Sequence, residues 1–350
     1  MTMSSENNVL TTVTGDVPAE NMGMTLPHEH LFNDLSSVVD EPSYEFSSIL
    51  VGKRVEPSLM WALRQDPYCN QDNLRDKPVD AVTEEVRAFA ELGGRTIVDA
   101  TGSTSIGRDP ERLAAVARRT GLNIVMSTGT YLEKFEGERI TATAIDIQTE
   151  NILNDLNEGV GSTGIQAGMI GEVGISPSYT PAERGALRAA AVAQTESPRT
   201  ALNIHMPGWK RYGADVLHLV LDEVGVNPAK VSLAHSDPSG HDYDYQKMLL
   251  DRGVWLEFDM IGLDINFPKE GVSPSVSDTA DAVAHLIARG YGQQLIFSHD
   301  LFLKQMWTCN GGNGFAFVPK VFLAQLRSRG VSEAQCRSLV IDNPRRLLTA

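Results

Sequence analysis

The stretch TLPHEHLFND, residues 25–34, places His28 and His30 on either side of Glu29 at the end of an apolar run. In an extended segment alternate side chains share a face, so the two imidazoles project together and Glu29 projects the other way. Two neighbouring imidazoles add little to a strand, but they can share a metal ion. The pattern recurs along the chain. Apolar runs stay apolar until their last positions, where Glu172, His205, His235 and Asp300 appear. Four imidazoles and two carboxylates make a mixed nitrogen and oxygen donor set. That set suits zinc, manganese, cobalt or iron better than calcium or magnesium. There are more donors than one tetrahedral ion needs, and enough for two ions that share a carboxylate. Two such ions can activate a water and polarise a carbonyl or phosphoryl group, so the chemistry implied is hydrolysis.

Donors scattered over the chain converge only if the fold brings strand ends together. The runs span 24–30, 95–101, 123–130, 167–174, 201–206, 230–235, 253–259 and 294–300, eight in all. Between them lie amphipathic segments such as AVTEEVRAFAELGG, DPERLAAVARRTG, ADVLHLVLDEVG and TADAVAHLIARGYG, each closing on glycine as helices commonly do. Eight strand–helix units in one chain of 350 residues predict an α/β fold, a (β/α)8 TIM barrel. All strand ends then meet at one rim, where such barrels build active sites. VLTTVTGDVP reads as an N-terminal hairpin capping the opposite end, and SEAQCRSLVIDNPRRLL as an extra terminal helix. The whole chain, 1–350, reads as a single metal-dependent hydrolase domain. The first βα loop is long, roughly fifty residues against the usual handful. Its segment 41–79, with Tyr44, Phe46, Trp61 and Tyr68, is expected to be a lid over the pocket.

Composition narrows the class. The net charge of −15 disfavours a nucleic-acid partner. Cys69, Cys309 and Cys336 are distant and odd in number, which points to reduced thiols in a cytoplasmic protein rather than a disulfide framework. The N-terminal MTMSSENNVL lacks a basic and then apolar leader pattern, and no run is long enough to span a membrane.

LPHEHL, IGEVGIS, NIHMPG, LAHSDPS and FSHDLF, in this order, resemble the strand-end motifs of the phosphotriesterase family of the amidohydrolase superfamily. The likeness runs from about residue 8 to the C-terminus and takes in NGGNGFAFVP and DNPRRLL. Within the family the chain looks nearest to the phosphotriesterase-related proteins, in which glutamate rather than a carboxylated lysine bridges the metals. The resemblance implies that His28, His30 and Asp300 bind the more buried ion. It gives His205 and His235 to the more exposed ion and makes Glu172 the bridge. Asp300 would also be the catalytic proton shuttle, serving a hydroxide held between the ions. The expected cofactor is two divalent ions per chain, zinc first, with manganese, cobalt or iron as alternatives. The expected substrate is a small molecule, a carboxylic ester, lactone or N-acyl amide. The alternatives are a phosphotriester, or binding without turnover, and a homodimer is open.

Weaker candidates surround this set. Tyr131 follows the third strand where related enzymes offer a phenol to the substrate. Trp209, Lys210 and Arg211 follow the fifth strand, Asp259 ends the seventh, and Lys304 and Trp307 follow the eighth. Tyr131, Trp209, Lys210, Asp259 and Trp307 are the expected substrate contacts. His299 should pack behind the barrel, and Asp109 should cap a helix.

Overall fold

The computed structural model describes residues 8–349. Residues 1–7, which open the stretch read for a leader, lie outside the described residues. Eight strands form one parallel sheet in chain order: β1 Met24–Glu29, β2 Gly94–Asp99, β3 Asn123–Thr128, β4 Met169–Gly174, β5 Ala201–His205, β6 Val231–Leu233, β7 Trp255–Phe258 and β8 Leu295–Phe297. The edge strands meet where the His28 N–H donates to Ser298 Oγ at 3.1 Å and the Asp300 N–H donates to the His28 carbonyl at 3.3 Å. The sheet thus curls into a nearly closed TIM barrel.

Helices wrap the sheet between strands. They are α1 Val79–Glu91, α2 Pro110–Thr120, α3 Ile145–Asn157, α4 Pro181–Glu196, α5 Gly213–Leu217 running on as His218–Val224, α6 Tyr243–Leu250 and α7 Val276–Ala288. Local signals set their limits. Asp109 caps α2 by accepting the Arg112 N–H at 3.1 Å, and Gly121 ends that helix at φ 72°, a left-handed backbone glycine adopts without strain. Thr180 and Glu183 form a reciprocal cap at the start of α4.

The bottom of the barrel is closed by Leu10 of the antiparallel hairpin Val9–Thr12/Gly15–Pro18 and by Leu347 and Leu348 of the terminal helix Asn343–Thr349. They pack with Val98, Val125, Met169, Ala201 and Ile296 from five strands. The long first loop has its own small core of Leu50, Ala62, Leu63 and Cys69. It is tied to the neighbouring loops by Asp72 with Lys304 at 2.8 Å and by Arg64 with Asp264 at 3.0 Å. All three cysteines are free. Among the described residues no helix is long and apolar enough to cross a membrane.

Candidate active site

The polar residues expected at strand ends sit at one rim. His28 lies in β1 with His30 just beyond, Glu172 lies in β4, and His205 closes β5. His235 and Asp300 stand past the ends of β6 and β8, with left-handed backbones at φ 58° and 53°. That conformation costs a non-glycine residue about 1–2 kcal/mol, so neighbouring groups must hold it. Both oxygens of Asp259 accept the His235 N–H at 3.0 Å. Glu29 brackets Asp300 by accepting the N–H groups of His299 at 3.0 Å and Leu301 at 3.1 Å. Glu29 does point away from its two histidines, and there it pins the last strand to the first. His299 is packed away from the cleft, between Glu29 at 2.6 Å and the Val318 N–H at 2.8 Å.

The donors converge on Glu172. Its Oε2 lies 3.0 Å from His205 Nδ1, 3.4 Å from His235 Nε2 and 3.5 Å from His28 Nε2, and its Oε1 lies 3.3 Å from His30 Nε2. Asp300 Oδ1 is 3.2 Å from His30 Nε2 and 3.8 Å from His28 Nε2. Donors bound tetrahedrally at roughly 2.1 Å from a metal ion stand about 3.4 Å apart, close to these spacings. His28 Nε2 is fully buried with no hydrogen-bonding partner among the described residues, which is costly for a nitrogen unless a cation takes it. The outer ring nitrogens are held. His28 Nδ1 lies 3.4 Å from Glu257, His30 Nδ1 2.8 Å from Thr101 Oγ1, and His235 Nδ1 2.9 Å from Asp259. Such anchors fix the tautomer and aim of metal-binding histidines. These residues fit a metal centre.

Electrostatics agree. Burial disfavours an imidazolium at His28 and His30. Glu172 with Glu257 and Asp259 around the first, and Asp300 with Glu172 around the second, outweigh it and raise these groups to about 10 and about 9. Burial likewise opposes the Glu172 carboxylate, yet His205 and His28 hold its pKa well below the usual range. The cluster keeps its negative charge and demands positive charge, which divalent ions supply without protonating the imidazoles.

Above the cluster opens a cleft of about 590 Å³, walled by Leu35, Tyr68, Ile106, Trp209, Phe267 and Phe302. Tyr131 lines it, with its hydroxyl 3.5 Å from His205 Nδ1. Burial, then Glu172, raises the Tyr131 pKa well above the ordinary value, so the phenol stays neutral. Three expected substrate contacts lie elsewhere. Asp259 is completely buried behind His235, where its carboxylate is consumed in fixing that residue. Lys210 is exposed and outside the cleft wall. Trp307 is only 2% exposed, because the chain turns back after Leu303 and buries the ring near the Lys77 ammonium. Of the four aromatics in segment 41–79, only Tyr68 reaches the cleft. Instead Tyr44 stacks on Phe46, and Phe46 packs at a tilt against Trp61. Glu257 escaped the sequence reading, although it shares a strand face with Asp259 two residues on, the same signal that singled out His28 and His30.

A parallel eight-stranded barrel whose C-terminal rim gathers four histidines, a glutamate and an aspartate beneath an apolar cleft is the architecture of a metal-dependent hydrolase. Residues 8–348 match the phosphotriesterase family. A phosphotriesterase-related protein of Nematostella vectensis is 32% identical, covering 97% of each chain. An N-acetyltaurine hydrolase of Xenopus tropicalis is 30% identical over 99% of each. A solved structure of a resiniferatoxin-binding protein from Rhodobacter sphaeroides superimposes with a TM-score of 0.94 at 38% identity, covering 97% of this chain and 95% of that one. The chain belongs to the phosphotriesterase family, whose members are metal-dependent hydrolases of small molecules.

Proposed function

We propose that this protein hydrolyses a carboxylic ester, lactone or N-acyl amide with two divalent ions, zinc in the first instance. His28, His30 and Asp300 would hold one ion, His205 and His235 the other, and Glu172 both. The observation that carries this reading is the convergence of four imidazoles on one buried carboxylate beneath the apolar cleft. When bound, the ions activate a water and polarise the substrate carbonyl. Asp300 directs Oδ1 at His28 and His30, which leaves Oδ2 to take a proton from the attacking water and pass it to the leaving group. Neutral Tyr131 donates a hydrogen bond to a substrate oxygen, and Trp209 supports its apolar part. The chain acts as one domain, with 41–79 contributing cover through Tyr68. Its acidity and free thiols support a cytoplasmic enzyme that takes no nucleic acid, and a homodimer is the assembly to look for.

The test is turnover of the metal-replete protein on a panel of esters, lactones, N-acyl amides and phosphotriesters. Hydrolysis is expected in the first three groups, with Asp300→Asn slower by about a hundredfold or more. A second reading, binding without turnover, draws on the resiniferatoxin-binding relative. Metal retention with no hydrolysis anywhere on the panel would establish it instead.

A further inference from the structure

Four aromatic side chains of the cleft form one cluster: Tyr68 lies 5.5 Å from Phe267 by ring centroids, Trp209 5.9 Å from Phe267, and Phe302 6.5 Å from Phe267. Beside them stands Glu270, in the turn between the short strands Asn266–Phe267 and Gly271–Val272 that follow β7. Among the described residues its carboxylate makes no ion pair and no hydrogen bond. The adjacent Lys269 does not neutralise it, because Asp40 holds that ammonium at 2.7 Å. The turn is fixed against Trp209, whose Nε1–H donates to the Val272 carbonyl at 3.2 Å. A Cβ on Gly271 would stand 2.3 Å from the same nitrogen, so the indole lies flush on the segment that carries Glu270.

Among the described residues no lysine or arginine lines the cleft over the histidine and carboxylate cluster. Among the described residues the adjoining outer cleft has Lys134 alone against Glu133, Glu138, Glu183 and Glu270, with Asp40 taken up by Lys269. The Lys134 ammonium rests over the rings of Phe135 at 5.0 Å and Tyr68 at 5.8 Å, so this aromatic wall already attracts a cation. Substrate therefore approaches through a negative field over aromatic faces. That combination attracts alkylammonium groups and leaves an anionic group at the aromatic wall with Lys134 alone to offset the surrounding carboxylates.

We propose that the cleft selects substrates whose leaving portion carries a positively charged ammonium group, bound against the Tyr68, Trp209, Phe267 and Phe302 rings and paired with Glu270. This rests on the hydrolase reading above. Water adds across the acyl bond, and the products are the acid and the ammonium-bearing alcohol or amine. The consequence separates this chain from its N-acetyltaurine-hydrolysing relatives, since the taurine sulfonate would face the Glu270 carboxylate.

The experiment compares three acetyl esters of similar size on the metal-loaded protein: acetylcholine, its uncharged isostere 3,3-dimethylbutyl acetate, and 2-sulfoethyl acetate. The expected order of kcat/KM is cationic, then neutral, then anionic. In Glu270→Gln the cationic-to-neutral ratio should fall about fivefold, the scale of one partly exposed charge contact, and the anionic-to-neutral ratio should rise. Calorimetric titration gives a second readout: tetramethylammonium should bind the wild type more tightly than methanesulfonate does and lose about fivefold in Glu270→Gln. A preference for the sulfoethyl ester, or ratios and ammonium affinity unmoved by the substitution, overturns the proposal. Absence of turnover on all three esters counts against the hydrolase reading, and the titration then decides the recognition alone.

Discussion

Three of the four imidazoles in the cluster, those of His28, His30 and His235, do two things at once. One nitrogen faces Glu172 or Asp300, and the other is anchored to Thr101, Glu257 or Asp259. The anchoring predicts a graded response by elemental analysis of metal-replete protein. The wild type should carry about two ions per chain, and His28→Ala should lose metal and activity together. Asp259→Asn, which keeps the shape but loses the charge, should weaken metal affinity by roughly tenfold to a hundredfold. Full metal content in His28→Ala would remove that residue from the centre. The donors were legible in the sequence because each is a polar residue closing an apolar run. Lys77 was not, because nothing in KPVDAV marks a lysine as buried. It is 2% exposed, donating to Asn33 Oδ1 and, at 2.9 Å, to the Phe302 carbonyl. Burial lowers its pKa from 10.5 to about 7. Between those values the unfolded chain holds a proton that the folded chain has released, so this group makes stability rise with pH. Denaturation of wild type and Lys77→Met in parallel should show the wild type gaining on the variant from pH 7 towards 10, by at most about 1.4 kcal/mol per unit. A difference independent of pH would mean that the ammonium is as well accommodated inside as in water.

At the level of elements, alternating apolar runs and glycine-terminated amphipathic segments were enough to read the eight strands and most of the helices. Strand ends were read two residues too long at β6 and three at β8, where His235 and Asp300 leave the ladder for left-handed backbones. Such turns depend on Asp259 and Glu29, far away in the chain, and no local pattern announces them. The first loop shows the same limit. Its aromatic content suggested a lid, yet the sequence does not say which rings turn inward. In the structure Tyr68 alone does so, while Trp61 is 58% exposed. Two substitutions therefore divide the segment. Tyr68→Ala should change the ratio of kcat/KM between bulky and small esters, while Trp61→Ala should leave that ratio in place and shift stability by no more than about 0.5 kcal/mol. Equal effects from both would mean that the loop acts on selectivity as a whole. In that case, replacing 41–79 by a short Gly/Ser connection should shift the ratio further while metal content survives, because no donor lies in the segment.

The barrel as a whole closes where its chemistry lies. Seven strand pairs are joined by hydrogen-bonded ladders, whereas β8 and β1 share none. Their junction depends on Ser298, on the Asp300 N–H to the His28 carbonyl, and on Glu29, which accepts from Ser298 Oγ at 2.8 Å as well as from the two amides beside Asp300. His28, His30 and Asp300 come from the two sides of this one seam, so an ion held by all three would bridge it. Metal binding is then coupled to barrel closure, and ligand linkage sets the scale. An ion present at a hundred times its dissociation constant stabilises the fold by about 2.7 kcal/mol. Removing metal with a chelator should lower the unfolding temperature. Hydrogen exchange should show where the loss falls: the amides of 24–30 and 295–301 should exchange faster in the stripped protein, and those of 123–128, on the far side of the barrel, should change little. Glu29→Gln, which weakens the same seam without touching a donor, should speed exchange in the same two segments even with metal present. Uniform acceleration around all eight strands would show instead that the seam is no weaker than the ladders and that the ions stabilise the barrel globally.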